Sequence, residues 1–228
     1  MADLKLELER TYHRRFDDDL EYRNAVWKVL IREFFSRYLQ SSDRVLDLGC
    51  GYGQFINNIQ CAHRYAMDLN PESRRALQSG ITFLEQDCST TWPLDAGSLD
   101  LVFTSNFFEH LPTKGHLTRA LEEAHRCLRP GGRLIAMGPN VKYVPGRYWD
   151  FFDHHIALTE LSLQEALEVA GFRSLKVVPR FLPFTMVKPP FTIVKAPRYP
   201  VQLVSLYLKV PLLWRWFGAQ FLLIAEKP

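Results

Sequence analysis

Between residues 44 and 137 short apolar runs alternate with stretches of helical character, and that order constrains the fold more than any other feature of the chain. The runs lie at 45–48, 65–67, 82–84, 99–103 and 133–137. Helices are expected between them at 54–60, 71–78 and 116–128, the last stopped by Arg129-Pro130-Gly131-Gly132. Strand-helix alternation of this kind implies an α/β fold, a parallel sheet with helices on both faces. Upstream, Trp27, Leu30, Ile31, Phe34, Phe35 and Tyr38 recur at three- and four-residue steps, the period of an amphipathic helix over 20–39. Downstream, Ser162-Leu163-Gln164-Glu165 reads as a capping box opening a helix that Gly171 closes, and two more strands are expected near 174–178 and 220–225.

A parallel sheet binds ligands beyond the carboxyl ends of its strands, and the first strand-to-helix turn is the usual place for a glycine loop. Here that turn is Gly49-Cys50-Gly51-Tyr52-Gly53. The dinucleotide fingerprint needs its third glycine where Gln54 stands, so the loop departs from the spacing that brings a helix N-terminus to a pyrophosphate. Asp68 ends the second strand about twenty residues past the first glycine, where an acid accepts ribose hydroxyls. Asp87, after the third strand, is placed to accept from the exocyclic amine of an adenine. The ligand that fits is an adenosine without a pyrophosphate.

Residues 45–55, Asp68, Gln86-Asp87, 99–109 and 130–135 follow in an order and at intervals that resemble a class I S-adenosylmethionine-dependent methyltransferase, the small-molecule, type 11-like subgroup with Glu109-His110-Leu111 after the fourth strand. The resemblance covers about residues 44–178 plus the last strand. It implies a Rossmann-like, seven-stranded, mostly parallel sheet with helices on both faces and an antiparallel last strand. It implies four parts: an N-terminal helical cap (1–43), the cofactor-binding core (44–178), an aromatic and basic insertion (179–217), and the last strand of the core (218–228). The cofactor it implies is S-adenosyl-L-methionine. Gly49, Cys50, Gly51 and Gly53 would pass close to its amino-acid part, with Asp47 holding the loop. Asp68, followed by Leu69, would hold the ribose, and Asp87 and Cys88 would flank the adenine. Asn106 and Phe107 would line the channel to the acceptor. The N-terminal helix would fold over the cofactor, with Arg23, or Tyr12 and Arg15, meeting the methionine carboxylate.

The acceptor is constrained mainly by exclusion. Methyltransferases acting on base amines or amide nitrogens tend to carry Asp/Asn-Pro-Pro-Tyr/Phe after the fourth strand, whereas this chain has Ser105-Asn106-Phe107-Phe108. A net charge of only +3 and no appended basic domain argue against nucleic acid. An oxygen on a small, glycan or lipid-linked acceptor is the first choice, with carbon and sulfur left open. Because the sulfonium already carries an activated methyl, the enzyme needs mainly to align the reactants and exclude water. A hydroxyl must still lose its proton, and His110, His154 and His155 are the candidate bases. Adjacent histidines point apart and no further ligand stands at a recognisable spacing, so no metal is expected.

The four cysteines show no CxxC spacing and the N-terminus lacks the apolar core of a signal peptide, which reads as a cytoplasmic chain with reduced thiols. Charge is uneven. No acid stands between Glu168 and Glu226, while Arg173, Lys176, Arg180, Lys188, Lys195, Arg198, Lys209 and Arg215 all do. Within that tract, residues 201–217 are too short and too charged to span a bilayer, yet mix Trp, Tyr and Leu with Lys and Arg as an interfacial segment does. The insertion is read as a roof over the acceptor pocket built on Phe181, Phe184, Phe191 and the tryptophans, as a peripheral membrane contact, or as a dimer contact, so that a monomer or a homodimer is expected. Two readings besides the enzyme stay open: a catalytically silent cofactor-binding partner subunit, and a nicotinamide oxidoreductase, which Gln54 disfavours.

Overall fold

A computed structural model describes residues 20–184 and 200–228. Seven strands, β1 (Arg44–Leu48), β2 (His63–Asp68), β3 (Ile81–Glu85), β4 (Leu99–Ser105), β5 (Leu128–Pro139), β6 (Arg173–Val178) and β7 (Gln220–Glu226), form one sheet in the order β3-β2-β1-β4-β5-β7-β6. The first five pair in parallel, and β7 runs antiparallel to both β5 and β6. Strand order therefore reverses between β1 and β4, which sets the carboxyl edge there as the place for a ligand.

Side chains alternate across the central strands, so each strand feeds two cores. Leu46, Val102 and Leu134 face a cluster closed by helices α3 (Lys114–Cys127) and α4 (Glu160–Val169), through Leu117, Leu121, Leu163 and Leu167. Val45, Leu101, Phe103 and Ile135 face the other, closed by α1 (Leu20–Glu33) through Val26, Val29 and Leu30 and by Phe34 just after it. A four-residue helix, α2 (Ser73–Ala76), lies between β2 and β3. The described part of the insertion forms α5 (Val201–Lys209) and α6 (Pro211–Phe217), which join the α1 face through Leu208 and Trp214. Phe191, Tyr12 and Arg15 lie outside the described residues.

Several boundaries differ from the sequence expectation, each for a local reason. The helix expected at 54–60 is a 3-10 turn, Ile56–Asn58. Asn57 Nδ2 donates to the Ala76 carbonyl (2.8 Å), its Oδ1 accepts from Gln78 N–H (2.9 Å), and Asn58 Nδ2 donates to the Gln54 carbonyl (2.7 Å), so asparagine side chains compete with helix propagation. The helix at 20–39 ends at Glu33 and continues as a 3-10 turn over Phe35–Tyr38. The Pro-Gly-Gly segment is a register shift inside β5, where Leu99 pairs with Leu128 and Leu101 with Arg133. The capping box at α4 is Thr159 with Ser162, three residues earlier than expected, whereas Gly171 has the positive φ (91°) that a helix end favours.

Candidate functional site

A cavity of about 220 Å³ opens at the carboxyl edge beside β1 and β4, where the strand order reverses. The loop after β1 lies along it. Gly49, Gly51 and Gly53 have φ of 69°, 50° and 68°, a region that side chains disfavour. At Gly49 a Cβ would also stand 2.2 Å from Phe107 Cγ, so that position requires glycine twice over. Hydrogen bonds hold the loop against β2: Gly49 and Cys50 N–H donate to the Met67 carbonyl (2.9 and 3.1 Å), and Gly51 N–H donates to Asp68 Oδ2 (2.8 Å). Asp68 Oδ1 also accepts from Asn70 N–H (2.9 Å), and burial pushes the carboxyl above its usual range.

Asp47 and Arg23 line the same cavity, Asp47 from inside β1 and Arg23 from α1. Asp47 Oδ2 accepts from Ile56 N–H (3.3 Å), and burial raises its pKa to about 8. A carboxyl ready to ionise beside a cation, together with a guanidinium, is a donor set that suits an ammonium and a carboxylate at once. An α-amino acid carries both. With the open backbone of Gly49 and Gly51 beneath, the residues present fit the methionine end of the implied cofactor.

The structure brings Arg23, Asp47, Gly49, Cys50, Gly51, Asn106, His110 and His154 to one cavity. Asn106 holds φ 50°, unusual for a residue with a side chain, with its N–H on the Met137 carbonyl (2.8 Å). Other expected site residues stand outside the lining. Asp68 is behind the glycine loop, with Leu69 half-buried after it, and Gly53 faces Leu77 and Asn57. Asp87 Oδ1 accepts from Ser89 N–H (2.8 Å), and buried Cys88 presents its carbonyl to Trp92 Nε1 (2.9 Å). The Phe107 ring leans on Gly49. His155 is exposed, and its backbone N–H donates to the Glu109 carbonyl (2.8 Å).

Two residues with no assigned role enter the site, Glu109 and Asp153. His110 Nδ1 lies 3.2 Å from Asp153 Oδ2 and 3.1 Å from the Asp153 carbonyl oxygen. Both are acceptors, so Nδ1 carries the proton and Nε2 is left as the basic nitrogen. The His110 ring stands 4.9 Å from that of His154, which stacks on Phe151. Burial pushes buried Glu109 up to about 7. For His110, burial opposes the charge, but the Asp153 hydrogen bond and the charges of Glu109 and Asp153 outweigh it, and the net shift is upward. Glu109, His110 and His154 offer ligand atoms within 4.8 Å of one another, the group among the described residues close enough to share an ion. Spacing could not reveal it, because Glu109 follows β4 and His154 follows β5. The remaining wall is apolar, with Trp27, Phe55, Phe103, Met137, Leu182 and Phe184.

Residues 46–136 match the family of methyltransferase domains. A malonyl-[acyl-carrier protein] O-methyltransferase of Dechloromonas aromatica is 33% identical over 59% of this chain and 52% of its own length. The 27-O-demethylrifamycin SV methyltransferase of Amycolatopsis mediterranei is 27% identical over 58% of this chain and 53% of its own. The chain thus spans about half the length of the curated relatives it matches. Among solved structures, a SAM-dependent methyltransferase from Archaeoglobus fulgidus superposes with a TM-score of 0.65 at 20% identity, covering 92% of this chain and 97% of that one, a likeness of fold.

Proposed function

Because the chain carries a class I S-adenosylmethionine-dependent methyltransferase domain, we propose that it transfers a methyl group to an oxygen of a small, glycan or lipid-linked acceptor, with His110 as general base. The observation that carries this reading is the His110–Asp153 pair beside a cavity shared with the glycine loop. Bound there, S-adenosylmethionine supplies an electrophilic methyl whose transfer leaves a neutral thioether. Arg23 would take the carboxylate, an ionised Asp47 would take the ammonium, and Asp68, behind the glycine loop, would accept from the ribose hydroxyls. Asp87 and Cys88 would flank the adenine, and Asn106 and Phe107 would border the path to the acceptor. Trp27, Phe55, Phe103 and Met137 exclude water. His110 Nε2 would accept the proton of an acceptor hydroxyl, and Asp153 would stabilise the resulting imidazolium. The absence of an Asp/Asn-Pro-Pro-Tyr/Phe segment after the fourth strand supports oxygen over nitrogen.

The test is transfer of labelled methyl into a cell extract, followed by kinetics on the product class found. His110→Ala lowers kcat by about 10²–10⁴-fold while S-adenosylhomocysteine affinity stays near that of the unaltered chain. The base must be unprotonated and its pKa is raised, so kcat climbs with pH through a value above that of an ordinary histidine. Asp153→Asn removes the carboxylate that raises it, and the limb moves to lower pH with a lower plateau. An unchanged pH profile and kcat in His110→Ala excludes this base. No transfer in any extract, with cofactor binding intact, favours the silent partner subunit.

A further inference from the structure

We propose that the outer faces of α5 and α6 dock on an anionic lipid surface and that the acceptor is taken from that surface, the second half resting on the methyltransferase reading. The two helices are anchored on one side and bare on the other. Inward, Val201, Val204, Leu208 and Trp214 pack on the α1 core; Trp214 Nε1 donates to the Tyr207 carbonyl (2.9 Å) and Tyr207 Oη donates to the Phe181 carbonyl (2.6 Å). Outward, Leu203, Leu206, Leu212, Trp216 and Phe217 are exposed, Trp216 at 71% and Phe217 at 63%. The anchoring holds this face in place as a preformed surface. Large apolar groups gathered on one face of a protein mark a contact site.

Charge decides the occupant. The sequence from Glu168 to Glu226 holds eight cations and no acid between its ends; on the bare helices Arg215 is exposed, and so is Lys209, which stands 3.6 Å from Glu33 of α1. Tryptophan, phenylalanine and leucine among lysine and arginine suit headgroup depth, where aromatics sit at the boundary and cations meet anionic lipid. No helix among the described residues is long and apolar enough to cross a membrane, so the contact is interfacial.

The same surface reaches the mouth of the cavity. Arg180 donates to the Trp216 and Gly218 carbonyls (2.9 and 2.6 Å), and its guanidinium lies 4.7 Å over the Tyr143 ring. Beyond Tyr143, Phe151 and Phe184 meet edge to face at 6.1 Å, both lining the cavity, and Arg147 lies over Phe184. Beside them Trp149 and Phe152 are exposed, Phe152 at 88%. A chain seated on lipid by α5 and α6 therefore brings an apolar lip of its active-site cavity to the same interface, where a lipid-anchored hydroxyl enters without crossing water.

The full chain is floated with phosphatidylcholine vesicles and with vesicles containing phosphatidylglycerol, and S-adenosylhomocysteine binding is measured alongside by calorimetry. The expected result is binding to the anionic vesicles only, weakened by salt, with a blue shift of tryptophan emission. Trp216→Ser with Phe217→Ser reduces that binding by roughly tenfold or more, with an unchanged melting curve and cofactor affinity, and Trp216→Tyr retains it. Labelled methyl then partitions into the organic phase. Failure to bind anionic vesicles by a chain that binds cofactor overturns the docking and leaves the methyltransferase reading standing. Loss of dimerisation in the double variant without any vesicle binding assigns the face to a second copy, and label confined to the aqueous phase overturns the lipid acceptor. Vesicle binding by a chain that binds no cofactor supports the docking and counts against the methyltransferase reading.

Discussion

Asp68 shows how one carboxylate holds the glycine loop and, in the proposed reading, also serves the ligand. It closes two hydrogen bonds within the chain, from Gly51 and Asn70, and stands at the end of β2. Asp68→Ala leaves Gly51 N–H without its acceptor and removes the proposed ribose contact, so S-adenosylhomocysteine affinity falls by about tenfold or more. Asp68→Asn, whose amide oxygen still accepts one of these bonds, loses less; equal affinities in calorimetry would defeat the assignment. Residues of this kind were legible because their chemistry is local: a glycine with positive φ, or an acid at a strand end. Glu109 and Asp153 were not. Each sits beside a histidine already noticed, but nothing in their spacing shows that β4 and β5 deliver them to one place.

Among the elements, α4 illustrates how tertiary bonds choose between two adequate local signals. Ser162 with Glu165 has the composition of a capping box, yet Thr159 caps the helix, with Ser162 N–H on Thr159 Oγ1 (3.1 Å) and Thr159 N–H on Ser162 Oγ (2.9 Å). The earlier start puts Glu160 in the first turn, where its carboxylate accepts from Asn140 Nδ2 and Lys142 Nζ (each 2.6 Å). Those partners lie about twenty residues away and fix the boundary. Thr159→Ala costs about 1 kcal/mol, visible as a lower midpoint in thermal circular dichroism, and Ser162→Ala, which leaves Thr159 able to cap, costs less. The 3-10 turn at Ile56–Asn58 follows the same logic: the asparagines that would sit inside a helix spend their amides on neighbouring carbonyls.

At the scale of the whole molecule, the site places buried carboxyls where folding must keep them neutral. Burial carries Asp47 to about 8 and Glu109 to about 7. An acid whose folded-state pKa lies above its unfolded value binds its proton more tightly when folded. Its contribution is therefore full below the unfolded pKa and is lost as pH rises through the folded value. Stability of the cofactor-free chain is expected to decline from mildly acid pH towards pH about 8, and Asp47→Asn, uncharged throughout, flattens that decline in pH-dependent melting curves. On the proposed binding mode, added S-adenosylmethionine is expected to raise the melting point of the unaltered chain most at the alkaline end, where Asp47 is ionised.

By itself the sequence determined the sheet, because apolar periodicity and chain order leave few ways to bury five central strands, and it determined the glycine loop, because backbone with positive φ restricts residue choice. The reversed β7, with its pairing to both β5 and β6, agrees with the resemblance rather than with any periodicity. Only the tertiary structure decided which polar groups come together: Arg23 of α1 and Asp47 of β1 at one cavity, and His110 with Asp153 across an interval of 43 residues. It also decided that Trp214 turns inward while Trp216 turns out, though both belong to one short helix. Local patterns are set by backbone sterics and the need to hide apolar surface, whereas meetings between distant side chains depend on how packed elements are oriented, which no single segment encodes.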